Sequence, residues 1–299
     1  MYHRRNFLKQ LSFAALATTL PRQWLQANTG SDPIPLGYST FPFYKKPGEE
    51  AIRAIAEMGY DSIEIATTWN RPKNLDAEAR KRIREALLQY KMPLPKLFDR
   101  IPVLDEKGKT LKDSLELIRL NAQLGHDVNA SVGGIKPCIG TRLGSNSRDW
   151  EANKNLIVDR LHEWEKVAKE MDTIIAIKGH VNQLSDSSEK TFWLVDQIQS
   201  PWIRVEYCYG HFQVLGEEWR KSLELLLPLT AVITLQDWKK KPDGSGYIHG
   251  IPGDGDVDYV EYYKYLLQSA YKGHTIVWMD AGKEMEQPDY DPLVIARHC

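Results

Sequence analysis

Two histidines, a lysine and an aspartate stand where apolar runs of this sequence stop. Lys178-Gly179-His180 follows Thr173–Ile177, His211 comes three residues after the run Ile203–Cys208, and Asp237 follows Leu235-Gln236. Imidazole changes charge near neutral pH and so suits proton transfer. An ammonium at the end of a buried run has to meet solvent, a cavity or a partner. In a cavity it can stabilise an oxyanion as that charge develops. These types together suit acid/base chemistry, which makes Lys178, His180, His211 and Asp237 candidate catalytic residues. Glu64 lies between Ile63 and Ile65, and a carboxylate inside an apolar run needs a partner, which makes it either a structural ion pair or a site residue. Lys96 and Asp99-Arg100 end the next run, Lys136 and Cys138 the one after it, and Asp280 the last. Glu64, Lys96 and Asp280 are candidate substrate-binding residues.

The runs that would position these groups number eight: Pro35–Thr40, Ser62–Ala66, Leu94–Phe98, Val132–Ile139, Thr173–Lys178, Ile203–Cys208, Ala231–Gln236 and Thr275–Met279. Most are continuous in Ile, Val and Leu rather than alternating, as parallel strands buried on both faces are. Amphipathic stripes lie between them. Ala51, Ile52, Ile55 and Ala56 form one that stops at Gly59. Leu115, Ile118 and Ala122 form another that ends near Gly125, and Phe192, Val195 and Ile198 follow a serine N-cap at Ser187-Ser188. Eight strand–helix units predict an α/β fold, a closed (β/α)8 TIM barrel in a single domain, with active residues at the C-terminal strand ends. An open doubly wound sheet would want a glycine-rich phosphate loop after the first strand, where Phe41-Pro42-Phe43-Tyr44-Lys45-Lys46 stands instead. The segment Lys239-Lys240-Lys241 reads as a solvated basic loop. Gly250–Asp258, rich in glycine and aspartate, reads as a loop closing the site.

The 299 residues carry 39 basic and 40 acidic side chains, a formal net charge of -1, which points neither to nucleic acid nor to an anionic membrane. Nine Trp and fourteen Tyr suit both core packing and stacking on sugars. The cysteines Cys138, Cys208 and Cys299 are too few, and odd in number, for a disulfide framework. Arg4-Arg5-Asn6-Phe7-Leu8-Lys9 and the short apolar run Leu11–Ala17 read as a signal peptide similar to the twin-arginine export signal. The run is shorter than the roughly 18–20 residues a spanning helix needs; a basic amphipathic helix is the other reading. The expected organisation is residues 1–30 as signal and short linker and 31–299 as barrel, in an exported, periplasmic protein with no stable membrane insertion after processing.

The strand-end segments resemble the sugar phosphate isomerase/epimerase superfamily, the xylose isomerase-like barrels. The resemblance is carried by Gly59–Glu64, Lys178-Gly179-His180, Tyr209-Gly210-His211-Phe212, Leu235-Gln236-Asp237, Pro252–Tyr259 and Gly273–Asp280. It implies a small-molecule sugar or keto-sugar as partner. It also implies a divalent metal (Mn2+, Mg2+ or Zn2+) held by Glu, Asp, His and Glu at the ends of strands five to eight. Here those positions hold Lys178, Cys208, Thr234 and Asp280. Charged lysine is a poor ligand and threonine a weak one, so no metal site of the usual type is expected. Cys208 and Asp280 are the runner-up ligands, and Lys178 would supply the positive charge instead. Two functions follow: an enzyme performing isomerisation, epimerisation or β-elimination of a sugar or keto-sugar, or a non-catalytic carbohydrate-binding barrel with a decayed metal site. Mass spectrometry of the protein from its native host should show a chain beginning after residue 17; an intact Met1 there overturns the processing.

Overall fold

The computed structural model describes residues 33–67, 72–105, 108–144, 149–280 and 282–299. The expected signal segment lies outside them. Eight of the strands follow the apolar runs: β1 (Leu36–Ser39), β2 (Ser62–Ala66), β3 (Lys96–Asp99), β4 (Cys138–Arg142), β5 (Ile175–Lys178), β6 (Ile203–Tyr207), β7 (Thr230–Leu235) and, after an intervening hairpin, β10 (Thr275–Val277). Each pairs in parallel with the next, and β10 pairs with β1 to close the barrel. Successive side chains on a strand point to opposite faces. Ile63, Leu97, Ile139, Ile175, Ile177, Val205 and Ile233 therefore pack outward in one large cluster with the helices, while Cys138, Ala176, Val232 and Ile276 form a separate small cluster.

The outer layer comprises α1 (Gly48–Glu57), α2 (Ala77–Gln89), α3 (Leu111–Val128), α4 (Trp150–Glu170), α5 (Ser188–Ile198), α6 (Tyr209–Gln213), α7 (Trp219–Leu226), α8 (Tyr259–Gln268) and α9 (Pro292–His298). Gly59 closes α1 at φ 84°, the left-handed conformation that glycine adopts without strain. Ser187 caps α5, its side chain accepting from the Lys190 backbone N–H. Among the described residues no helix is long and apolar enough to cross a membrane.

Three sequence expectations are corrected. The α3 stripe does not end at Gly125 but runs on to Val128. Gly125 is a close-approach residue: a Cβ there would meet Pro137 Cγ at 3.1 Å and Leu97 Cδ1 at 3.3 Å. The fourth strand begins at Cys138, not at Val132. Ser131, Gly133 and Gly134 all have positive φ and turn the chain, and Pro137 stands just before the first strand residue. The basic segment after Asp237 is a β-hairpin, β8 (Asp237–Lys240) against β9 (Tyr247–Gly250), with Trp238 opposite His249. Its tip is a turn in which the Asp243 carboxylate accepts from the Ser245 N–H and Gly244 has φ 72°.

β1 is wedged between two neighbours at Gly37, where a Cβ would meet Ile276 Cδ1 at 2.6 Å and the Ser62 carbonyl oxygen at 2.8 Å. One of these is backbone in a paired strand and cannot rotate away. Gly37→Ala should destabilise the fold by about 1–3 kcal/mol in urea unfolding; parent-like stability would show that the wall can shift.

Candidate active site

Inside the barrel β2, β3 and β6 contribute the charged side chains Glu64, Lys96 and Glu206, and β1 and β7 the hydroxyls of Ser39 and Thr234. The Lys96 ammonium lies 2.6 Å from a Glu64 oxygen and 2.7 Å from a Glu206 oxygen, and donates at 2.7 Å to the Thr234 hydroxyl. Thr234 in turn donates to Glu206, and Ser39 to Glu64. Lys96, Glu64 and Glu206 are all fully buried. Burial alone would lower the Lys96 pKa, but the two carboxylates outweigh it and hold that pKa above the ordinary value. Burial would raise the Glu206 pKa, and Lys96 and Lys178 pull it below the ordinary value. Gly140 on β4 makes room for this pair, since a Cβ there would collide with Glu206 and stand 2.8 Å from Lys96 Cδ. Glu64 and Lys96, candidates for binding substrate, are thus held in a buried ion-pair network, the structural reading of Glu64. Three partners already take the Lys96 ammonium.

At the end of β5, Lys178 reaches Glu206 at 3.4 Å and lies over the Phe98 and Trp278 rings, 5.4 and 5.2 Å from their centroids. It is almost wholly buried. Next to it His180 and His211 stack, ring centroids 3.8 Å apart. The His180 Nδ1 lies 2.6 Å from the Val181 carbonyl and its Nε2 lies 3.3 Å from the Arg142 guanidinium. A carbonyl only accepts and a guanidinium only donates. His180 is therefore the neutral Nδ1–H tautomer. Burial, helped by Lys178 and Arg142, lowers its pKa to about 3. Burial, helped by His180 and Lys178, likewise takes the His211 pKa well below the ordinary value. His211 is buried, and among the described residues neither of its ring nitrogens has a hydrogen-bond partner. Lys178, His180 and His211 thus come together.

Asp237 does not join them. Its buried carboxylate accepts from the backbone N–H groups of Gly253, Gly255 and Val257 at 2.9–3.2 Å. Burial raises its pKa against the pull of those donors. The expected catalytic role gives way to that of a clamp on the loop after the hairpin. Asp280 accepts from the Gly282 N–H, while its carbonyl lies 3.3 Å from His249 Nδ1. Sequence reasoning passed over Glu206, Arg142, Trp238, His249 and Trp278. For Glu206 the signal was present, a carboxylate inside an apolar strand as at Glu64. His249 gave none, because its segment read as solvated loop.

The donors do not fit a divalent metal. Lys178 is a cation paired to Glu206. Cys208 donates its thiol hydrogen to Gln236 at 3.0 Å, and burial raises its pKa away from the thiolate a metal needs. Thr234 is bound between Lys96 and Glu206. Among the described residues no three His, Cys, Asp or Glu side chains converge as a metal site.

The profile of the xylose isomerase-like TIM barrel family matches residues 52–290. Similar proteins include a fructoselysine 3-epimerase of Shigella flexneri, 26% identical over 265 residues, 81% of this chain and 88% of that protein. An inosose dehydratase of Clostridium perfringens is 19% identical over 239 residues, 76% and 72% of the two chains. The fold is shared with the crystal structure of a 3-keto-D-glucoside 4-epimerase from E. coli, at TM-score 0.69 and 15% identity over 89% of this chain and 97% of the other.

Histidines held neutral when folded make stability depend on pH. Above pH 6.5 neither the folded nor the unfolded histidine is charged. Between pH 6.5 and about 3 the unfolded chain takes up a proton that the folded His180 does not, so stability falls as pH falls. The expected slope is about 1.4 kcal/mol per pH unit for each such histidine. Urea unfolding from pH 7 to 5 should show it, and His211→Phe should flatten it; an unchanged slope in that variant would mean His211 is charged in the folded state.

Proposed function

The chain belongs to the xylose isomerase-like TIM barrel family, and from that premise we propose that it is an enzyme abstracting a proton next to the carbonyl of a sugar or keto-sugar. The observation that carries the reading is His211: a buried imidazole whose two nitrogens have no hydrogen-bond partner among the described residues, held neutral by burial first and by neighbours that include the Lys178 ammonium. A neutral imidazole can take the proton from the carbon next to the carbonyl. The electron pair of that C–H bond moves onto the carbonyl oxygen, and Lys178 stabilises the resulting oxyanion. Burial, with Lys178 and Arg142 nearby, makes the protonated form of His211 unstable, so it gives the proton up readily. Protonation of the opposite face by a second acid on that side gives an epimer; return of the proton to the neighbouring carbon, with the hydroxyl proton passing to the former carbonyl oxygen, gives an isomer; and loss of a hydroxyl one carbon further on, leaving as water with the abstracted proton, gives an elimination product. The names of the similar proteins, two epimerases and a dehydratase, cover the first and last of these outcomes. His180, with both nitrogens engaged, orients Arg142 and stacks on His211 rather than carrying the proton.

The N-terminal segment supports placing this activity outside the cytoplasm. Arg4-Arg5 and the apolar run after it have the composition of a twin-arginine signal, and an exported enzyme would meet glycan-derived sugars rather than sugar phosphates. The replaced ligand set is the feature that favours a carbohydrate-binding barrel without turnover, and kinetics separate the two.

Assayed against D-allulose, D-fructose and 3-keto-glucosides, Lys178→Met and His211→Ala should each lose roughly 10²–10⁴-fold in kcat while keeping the parent's circular dichroism. His180→Ala should lose less, and the parent's turnover should survive exhaustive chelation. Parent-like rates in both folded variants would place the chemistry elsewhere, and absence of turnover in a parent that still binds these sugars would favour the binding barrel.

A further inference from the structure

Three polar atoms at the barrel mouth belong to residues that the chemistry above does not use. They are Trp238 Nε1, His249 Nε2 and Trp278 Nε1; all three are buried, and among the described residues none has a hydrogen-bond partner. An unpaired buried polar atom costs about 1–3 kcal/mol, so three in one place point to a ligand that satisfies them.

They do lie in one place. Trp238 on β8 and His249 on β9 face each other across the hairpin, centroids 4.8 Å apart. His249 lies 6.4 Å from Trp278, and Trp278 packs under the Lys178 ammonium at 5.2 Å. In the other direction Trp238 is 6.4 Å from His211, which stacks on His180. Neighbouring rings therefore run His180–His211–Trp238–His249–Trp278, and the last of them carries the Lys178 ammonium on its face.

The polarity of the three atoms defines what they would hold. His249 Nδ1 lies 3.3 Å from the Asp280 carbonyl, an acceptor, so Nδ1 carries the hydrogen. Burial lowers the His249 pKa, the ring stays neutral, and Nε2 is an acceptor. Each indole N–H donates only. An acceptor between two donors matches hydroxyl groups, each of which both donates and accepts. A phosphate ester, ionised at neutral pH, offers mainly acceptors and would set an oxygen against the Nε2 lone pair. The indole faces suit the C–H face of a sugar ring.

We propose that the β8–β9 hairpin is part of the substrate site, and that His249, flanked by Trp238 and Trp278, binds adjacent hydroxyls of an uncharged sugar ring and holds that ring against Lys178. The assignment rests on the sugar-enzyme reading above. It makes His249 a substrate-contacting residue that selects neutral keto-sugars over their phosphate esters.

Calorimetric titration with D-allulose, methyl 3-keto-β-D-glucopyranoside and D-allulose 6-phosphate tests it, together with steady-state kinetics on whichever sugar turns over. The parent should bind at least one of the neutral sugars, and the phosphate ester at least about tenfold more weakly. His249→Phe keeps a ring but removes the acceptor, and should weaken sugar binding by about tenfold or more, raising KM by a larger factor than it lowers kcat. His249→Gln, whose amide oxygen can accept, should recover most of the loss. If His249→Phe fails to fold, Trp238→Phe, which deletes one indole N–H and keeps a ring, carries the same test. Unchanged affinity and KM in the folded variant overturn the subsite and leave the proposed chemistry standing. Tighter binding of the phosphate ester overturns the neutral-ring assignment. A parent that neither binds nor turns over any of these sugars overturns both.

Discussion

Everything at this site depends on a charge balance buried inside the barrel. Lys96 and Lys178 are the bases and Glu64 and Glu206 the acids, two of each, so that the four sum to zero. Removing two ion pairs from water costs several kcal/mol per ion and is recovered only with close geometry and further hydrogen bonds. Lys96 meets that condition, with two carboxylates and a hydroxyl around one ammonium. Gly140 gives the pair its space, and the irregular pairing between Val205 and Glu206 on β6 lies at the residue that both lysines share. Lys178 is balanced less closely. Among the described residues its one carboxylate is 3.4 Å away, with the Phe98 and Trp278 rings supplying the rest of its stabilisation. A cation held in this way keeps charge available to a ligand, whereas Lys96 is saturated.

That retained charge explains two other features. His180 and His211 are neutral because burial and nearby cations both oppose a further positive charge. A divalent ion set at the same strand end would meet the same repulsion. The thiol of Cys208, pushed up by burial, offers nothing to offset it. The electrostatic part of a metal's role in polarising a carbonyl is to place positive charge at the developing oxyanion, and Lys178 places one there without coordination chemistry.

The parts of this arrangement differ in how far the sequence discloses them. Barrel strands are buried on both faces, so Ile-, Val- and Leu-rich runs are visible directly, and a polar group that ends such a run, as Lys178 does, is conspicuous. The start of β4 was hidden because Val132 and Ile135 belong to a turn shaped by the positive φ of Gly133 and Gly134, which hydrophobicity does not report. The hairpin was hidden for the opposite reason. Lys239, Lys240 and Ile248 are exposed, so this two-stranded ribbon shows no apolar stripe, and its one local sign was the Asp243-Gly244 turn. Glu206 was legible by the same rule as Glu64, but its partner Lys96 is 110 residues away, and only closure of the barrel brings them together.

Asp237 ties the hairpin to this frame. It stands at the junction of β7 and β8, and its carboxylate gathers the N–H groups of Gly253, Gly255 and Val257. A side chain at position 255 would run into that carboxylate, so glycine is required there by contact rather than by turn geometry. The Asp256 carboxylate accepts from the Lys240 N–H and the Trp238 carbonyl from the Asp256 N–H, which fixes the loop to β8 as well. A segment that would otherwise be two exposed strands on a long connection is thereby held over the strand ends, with Trp238 and His249 on one side of it. Backbone N–H groups of a glycine-rich turn before a helix can bind an anion, and those of Gly253, Gly255 and Val257 are turned onto a carboxylate of the same chain. The work of this loop in the molecule is to give a mobile kind of structure the rigidity that a binding surface requires.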